Sequence, residues 1–197
     1  MNISVILAHP VAGSFNHAIA ETAVRTLRRN GHSVSFHDLH SEGFDPVLPG
    51  SEIPSGAALP PVVAAHCLEI AEAQGIVIVH PNWWGQPPAI LKGWVDRVIR
   101  PGVAYKFLDG DSGEGVPVGL LRAEKAVVFN TSNTPAEREQ ADFGDPLELI
   151  WRRCVFGLCG VKDVRREMFG VVVTSSEEQR ERWLARVREI VGTCFPA

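Results

Sequence analysis

Three short segments hold the residues best suited to chemistry. His9-Pro-Val-Ala-Gly-Ser-Phe-Asn16 runs from a strand-like stretch straight into a helix-like one. At such a junction the unpaired N–H groups and the positive end of the helix dipole make a phosphate seat, and His9, Ser14 and Asn16 add side-chain donors. The segment holds neither GxGxxG nor GxxxxGK followed by Ser or Thr, so it is not a dinucleotide Rossmann fingerprint or a Walker A loop. Ser14 and Asn16 fit simple helix capping equally well. The second segment, His80-Pro-Asn-Trp-Trp-Gly-Gln-Pro-Pro88, puts adjacent tryptophans and a glycine at the end of an apolar run. Exposed indoles are costly, and either a flat aromatic ligand or packing in a core or dimer seam would cover them. Consecutive side chains point apart, so one of Trp83 and Trp84 is expected on a ligand and the other in packing. The third segment, Asn130-Thr-Ser-Asn-Thr-Pro135, offers hydroxyl and amide donors and is also good turn chemistry.

These segments can cooperate only if the fold brings them to one edge. Strand and helix patterns alternate along the chain, which predicts a parallel sheet with helices on both faces. Strands are expected at Asn2–Ala8, His32–Leu39, Gly75–His80, Lys125–Asn130 and Met168–Thr174. Helices are expected at Ser14–Asn30, at Val62–Gln74, from Pro88 through Val98, at Asp145–Leu158, and from a Ser175/Glu178 capping box to Val191. Long loops at His40–Pro61 and Arg100–Leu121 exceed ordinary connections and suggest function or partner contact. Five strand–helix units predict a doubly wound five-stranded α/β fold in the order 2-1-3-4-5, one domain over residues 1–197. In that fold ligands bind beyond the carboxyl ends of the strands, where all three segments lie.

Composition narrows the function classes. The 197 residues are 45% hydrophobic and 21% charged, as in a globular domain able to bury its own core. A formal charge of -4 gives no electrostatic case for nucleic acid or an acidic membrane surface. No stretch approaches the roughly 20 apolar residues of a membrane span. The opening MNISVILAHP lacks the basic region and cleavage site of a signal peptide, and Cys67, Cys154, Cys159 and Cys194 lack zinc-type spacing, so a reduced, cytoplasmic setting is expected.

AHPxxxSFN after the first strand, PNWWGQPPAILKGWVDRV after the third, and GxAYxF just beyond resemble the flavodoxin-like NAD(P)H:quinone oxidoreductases, the DT-diaphorase group with its bacterial relatives. The resemblance is specific from Ile3 to about Phe107 and looser to Val191. It implies a flavin, FAD in preference to FMN from the Ser14-Phe15-Asn16 form of the first loop, with NAD(P)H as co-substrate. It assigns His9, Ser14, Phe15 and Asn16 to the flavin phosphates. Pro81, Asn82, Trp83, Trp84, Gly85 and Gln86 would lie along the isoalloxazine, and Thr131, Ser132, Asn133 and Thr134 would wrap its pyrimidine side. It also implies a homodimer in which Tyr105 and Phe107 line the partner's substrate pocket, and a ping-pong transfer of hydride to a quinone or similar acceptor. Trp94, Val95 and Val98, with the first long loop, suggest the apolar dimer surface.

Well-known diaphorases carry Thr-Thr-Gly-Gly in the third loop, followed by a Tyr and a His that spread charge from the reduced flavin. Here the loop reads Thr131-Ser132-Asn133-Thr134, the sole tyrosine is Tyr105 and no histidine follows His80, so that pair cannot be assigned. Two other functions fit the same resemblance: a flavin-bearing ancillary subunit of a glutathione-gated potassium efflux system, and a one-electron flavodoxin-type carrier. His32, His37, His40 and His66 read as solvated or structural, Glu137–Glu148 as a solvated stretch, and Asp96 and Arg97 as a surface pair.

Overall fold

The structure, a computed structural model, describes residues 1–54, 56–108, 110 and 114–197. The remaining positions fall within the two long loops, and the readings of those loops lie outside the described residues there. In chain order the elements are β1 (Asn2–Leu7), α1 (Phe15–Arg29), β2 (Ser33–Asp38), α2 (Pro61–Glu72), β3 (Gly75–Pro81) and α3 (Ala89–Val98). There follow β4 (Tyr105–Lys106), β5 (Val118–Gly119), β6 (Lys125–Ser132), α4 (Ala136–Phe143), α5 (Pro146–Leu149), β7 (Asp163–Gly170) and α6 (Glu177–Cys194). The main sheet runs β2-β1-β3-β6-β7 with every neighbour parallel, which is the expected 2-1-3-4-5 order. Among the described residues no helix is long and apolar enough to cross a membrane.

The central strands are buried on both faces, so alternate side chains feed two apolar layers. Val5, Leu7, Val77, Val79 and Phe129 pack under α1 and α6, against Ile19, Leu27, Val187 and Ile190. Ile6, Ile76, Ile78 and Val128 pack on the other face, against Val63, Leu91, Trp94, Trp151 and Phe156. Trp94 and Val98 are therefore core residues of this chain, 2% and 0% exposed, and cannot supply the dimer surface expected of them.

Several boundaries differ from expectation. The last strand ends at Gly170, and Val171–Thr174 leave the sheet instead of finishing it. Its Arg165-Arg166-Glu167 run hid it, because an edge strand keeps charged side chains that pair with neighbours. Arg166 pairs with Asp145 and Glu148, and Arg186 Nε reaches Glu167 Oε1 at 3.2 Å. The expected helix over Asp145–Leu158 is a short α5 that continues as a π-helical stretch over Ile150–Gly157. Ahead of it, α4 occupies part of the stretch read as solvated loop. The cap of α6 is Ser176, accepting from Gln179 N at 3.1 Å, while Ser175 Oγ donates to Val172 O at 2.7 Å. The loop at Arg100–Leu121 carries the β4–β5 ribbon.

The first long loop is clamped to α3. Arg97 is 4% exposed and forms a bidentate pair with Glu52, Nη2 to Oε1 at 2.5 Å and Nε to Oε2 at 3.0 Å. The expected Asp96–Arg97 surface pair is thus split: Arg97 is buried, and Asp96 pairs with Lys92 at 2.6 Å. A Cβ at Gly93 would stand 2.1 Å from Pro46 O, so only glycine lets the loop lie directly on the helix.

Candidate functional site

A cavity of about 650 Å³ opens beyond the carboxyl ends of β1, β3 and β6. That volume lies within the range of small-ligand pockets. All three expected segments line it: His9, Ser14, Phe15 and Asn16 from the first, Pro81 to Gly85 from the second, and Thr131 to Thr134 from the third. Gln86 does not line it. Tyr105 and Phe107 sit apart, in a second cavity of about 410 Å³ with Val95, Ile99 and Leu158.

The first loop is not held by side-chain caps. Ser14 stands at the N-cap of α1 without a side-chain capping bond, and its Oγ instead meets His17 Nδ1 at 2.8 Å. Asn16, 3% exposed, donates from Nδ2 to Thr131 Oγ1 at 2.9 Å, which ties the first turn of α1 to the end of β6. The plain capping alternative is thereby excluded, and the first-turn N–H groups receive no side-chain cap at the cavity edge. His9 Nδ1 accepts from Val11 N at 3.2 Å, and burial lowers the affinity of its ring for a second proton. The neutral ring then presents Nε2–H as a donor.

The second loop makes a tight hairpin. Trp83 N donates to Gln86 O at 3.1 Å and Gln86 N returns to Trp83 O at 3.0 Å, while Trp84 and Gly85 take φ of 58° and 70°. Two successive positive φ values between reciprocal bonds describe a type I′ turn. At Gly85 a Cβ would meet Pro146 Cγ at 2.8 Å, and glycine lets the turn close on α5. Gln86 closes this turn through its backbone, and the residue is exposed outside the cavity. Both tryptophans line the cavity and neither joins the core of this chain, Trp83 being 45% and Trp84 fully exposed, so packing of either one in the core is not found.

Polar groups that sequence reasoning missed complete the walls. Val172 and Val173 descend beside the third loop, their N–H groups donating to Ser132 O and Asn133 Oδ1 at 3.1 and 3.0 Å. Arg180 brings a positive charge from α6. Its Nε donates to Ser175 Oγ at 2.8 Å, and its guanidinium lies 5.8 Å from the centre of the Phe15 ring. Glu139 on α4 accepts from Asn82 Nδ2 at 2.9 Å and is 3% exposed. The spacing of α1's neighbours offers no cue to these residues, since they come from elements more than a hundred positions away. Among the described residues Asn16 Oδ1 and Asn82 Oδ1 are buried without a hydrogen-bond partner, on side chains that line the cavity, so its wall carries unsatisfied acceptors.

His80 is walled off from this chemistry. Its Nδ1 donates to Pro81 O at 2.8 Å, its Nε2 accepts from Trp151 Nε1 at 3.0 Å, and complete burial lowers its pKa to about 4. His37 and His66, read from sequence as scattered, meet Glu42 in space, with ligand-type atoms within 4.8 Å of one another. His37 bonds Glu42 and Glu69 at 2.9 and 2.8 Å. Trp94 Nε1 donates to His66 Nδ1 at 3.1 Å, which leaves the neutral His66 proton on Nε2, facing Glu42. A nitrogen carrying that proton has no lone pair for a cation, so the cluster works as a proton and ion-pair network joining β2 to α2.

Comparison with known proteins agrees with this architecture. The Flavodoxin_2 family, described as a flavodoxin-like fold, matches residues 1–191. A Haemophilus influenzae protein described as an uncharacterised NAD(P)H oxidoreductase is 33% identical, over 92% of this chain and 89% of its own. Mouse ribosyldihydronicotinamide dehydrogenase (quinone) is 28% identical, over 95% of this chain and 91% of its own. The structure of an NAD(P)H:quinone oxidoreductase from Methanothermobacter marburgensis superposes with a TM-score of 0.80 at 29% identity, covering 97% of this chain and 95% of that one. Sheet order, loop motifs and these matches agree, and the chain belongs to the flavodoxin-like NAD(P)H:quinone oxidoreductase family.

Proposed function

We propose that this chain is a flavin-dependent NAD(P)H oxidoreductase that passes hydride to a quinone-type acceptor, with FAD as its flavin. One observation carries the reading: three loops from separate strand ends converge on a single cavity that combines a helix N-terminus, an arginine, two exposed indoles and orphaned amide oxygens. A flavin has phosphate for the first, a flat ring for the indoles and N–H groups for the acceptors. The names of the relatives, an NAD(P)H oxidoreductase and two quinone reductases, support the same class.

When bound, the flavin supplies two-electron hydride chemistry. The chain supplies position and electrostatics. The first turn of α1, with His9 Nε2–H and Arg180, would bind phosphate. The Trp83–Gln86 turn would form the wall along the ring, and Thr131, Ser132 and the nearby N–H groups would favour negative charge developing beside them. One cavity would serve NAD(P)H and acceptor in turn, which is the basis for ping-pong kinetics. Homodimer formation and a cytoplasmic setting belong to the same reading, with Tyr105 and Phe107 reaching a partner's cavity. The test is the absorption spectrum and mass of what the purified protein releases on heating, with NAD(P)H oxidation measured in the presence and absence of a quinone. FAD and quinone-dependent turnover are expected. FMN would revise the cofactor alone, and a colourless protein that neither binds added flavin nor oxidises NAD(P)H would overturn the function.

A further inference from the structure

The net reaction consumes a proton. NAD(P)H, H⁺ and a quinone give NAD(P)⁺ and a hydroquinone: the nicotinamide C–H bond breaks, two electrons leave with that hydrogen as hydride, and one solvent proton completes the second O–H bond. Of the residues lining the cavity, the titratable ones are His9, Glu139 and Arg180. Arg180 stays protonated in any protein. His9 lies at the phosphate edge beside Trp83 and His17 and is bonded to Val11.

Glu139 differs from both. Its carboxylate is buried, lines the cavity beside the second loop, and accepts a side-chain bond from a neutral amide, Asn82 Nδ2. Among the described residues no cation lies within ion-pair distance of it. The charges on neighbouring elements are engaged elsewhere. Asp145 is paired with Arg166, Arg138 with Asp142 at 3.1 Å on the outer face of α4, and Arg180 is bonded to Ser175 Oγ and Val172 O. The backbone of Asn82 is tied to β6, its N–H donating to Thr131 O at 2.6 Å. A carboxyl group held in one place, next to the ring wall and without a counter-charge, is suited to exchange a proton rather than to anchor a salt bridge.

Building on the proposed function, we propose that Glu139, positioned by Asn82, is the proton-exchanging residue of this site. In the acceptor half-reaction its carboxyl O–H bond breaks as the acceptor's O–H bond forms, and solvent restores the proton afterwards.

The test compares the wild type, Glu139→Gln and Glu139→Asp as flavin-loaded proteins. Midpoint potential is followed against pH by dye equilibration, and reoxidation by a quinone is followed in stopped flow. The wild type and Glu139→Asp should share a break in both pH plots, and Glu139→Gln should lose it and reoxidise at least tenfold more slowly. A Glu139→Gln profile that overlays the wild type would overturn the proposal. If Glu139→Gln does not fold or load flavin, Glu139→Asp decides: the displaced carboxyl should keep the break with a slower rate, and an unchanged rate counts against the role. A wild type that takes up no flavin defeats the proposed function itself, before Glu139 is in question.

Discussion

Asn16 Nδ2 donates to Thr131 Oγ1 across 2.9 Å although the two residues stand 115 positions apart. One bond therefore sets the start of α1 against the end of β6 and fixes two walls of the cavity relative to each other. Replacing Asn16 by Ala should cost about 1 kcal/mol of flavin binding or slightly more, and Ser14→Ala less, because among the described residues the Ser14 hydroxyl meets only its neighbour His17. Flavin dissociation constants of the single and double variants check this, and unchanged affinity in the double variant would remove the first loop from the cofactor site.

Shared use of one cavity makes a kinetic prediction. Initial-rate lines at several acceptor concentrations should run parallel, and NAD(P)⁺ should compete with the acceptor. Converging lines would show that both ligands bind together.

Stability should depend on pH through two histidines of opposite sense. Folded His80 gains its proton only near pH 4, whereas the unfolded chain gains it near 6.5, so stability falls as pH drops across that window. At about 1.4 kcal/mol per pH unit the loss is on the order of 3 kcal/mol. Bonding to Glu69 raises His37 above its ordinary value against the cost of burial, so its contribution is full below about 6.5 and is lost as pH rises through its folded pKa. Urea titrations of the wild type and His80→Asn across this range should show a shallower acid limb in the variant.

The Arg97–Glu52 pair predicts a penalty for removing one partner only. Glu52→Gln leaves a buried guanidinium short of its charge and should cost about 3–5 kcal/mol, whereas the joint change Arg97→Met with Glu52→Leu should recover much of it. Denaturant midpoints distinguish the two outcomes, and a mild loss in Glu52→Gln would mean that the loop re-forms its contacts.

Trp84 holds a left-handed φ of 58° with its side chain in solvent, an arrangement that is strained for a large residue. Trp84→Gly should raise the midpoint of thermal unfolding while weakening flavin binding. Unchanged flavin affinity would remove the indole from the ligand site, and a lowered midpoint would show that the turn is not strained by it.

Much of this arrangement was legible in the residues because their burial follows pattern. The apolar Ile76–Val79 run of β3, the spaced Ile19, Ala23 and Leu27 of α1 and the three strand-end loops each declare themselves locally. What escaped detection depends on contacts distant in sequence. Strand β7 looked polar because Arg166 and Glu167 satisfy partners on α5 and α6. Glu139 looked solvated because most acids in its stretch are, and only Asn82 draws it inward. Arg97 looked like a surface residue because Glu52 lies far back in a loop without periodicity. Polar residues are buried by specific partners, and a one-dimensional pattern does not identify the partner.

The unequal placement of the tryptophans gives the molecule a built-in optical probe. Trp94 and Trp151 are sealed in the core at 2% and 1% exposure, with their N–H groups bonded to His66 and His80, while Trp83 and Trp84 stand at the cavity mouth. Once the half-buried Trp183 is replaced by Phe, intrinsic emission splits into a shielded fraction that reports unfolding and an accessible fraction, quenchable by iodide, that reports what occupies the cavity. The two signals can be read in the same cuvette without attaching a label.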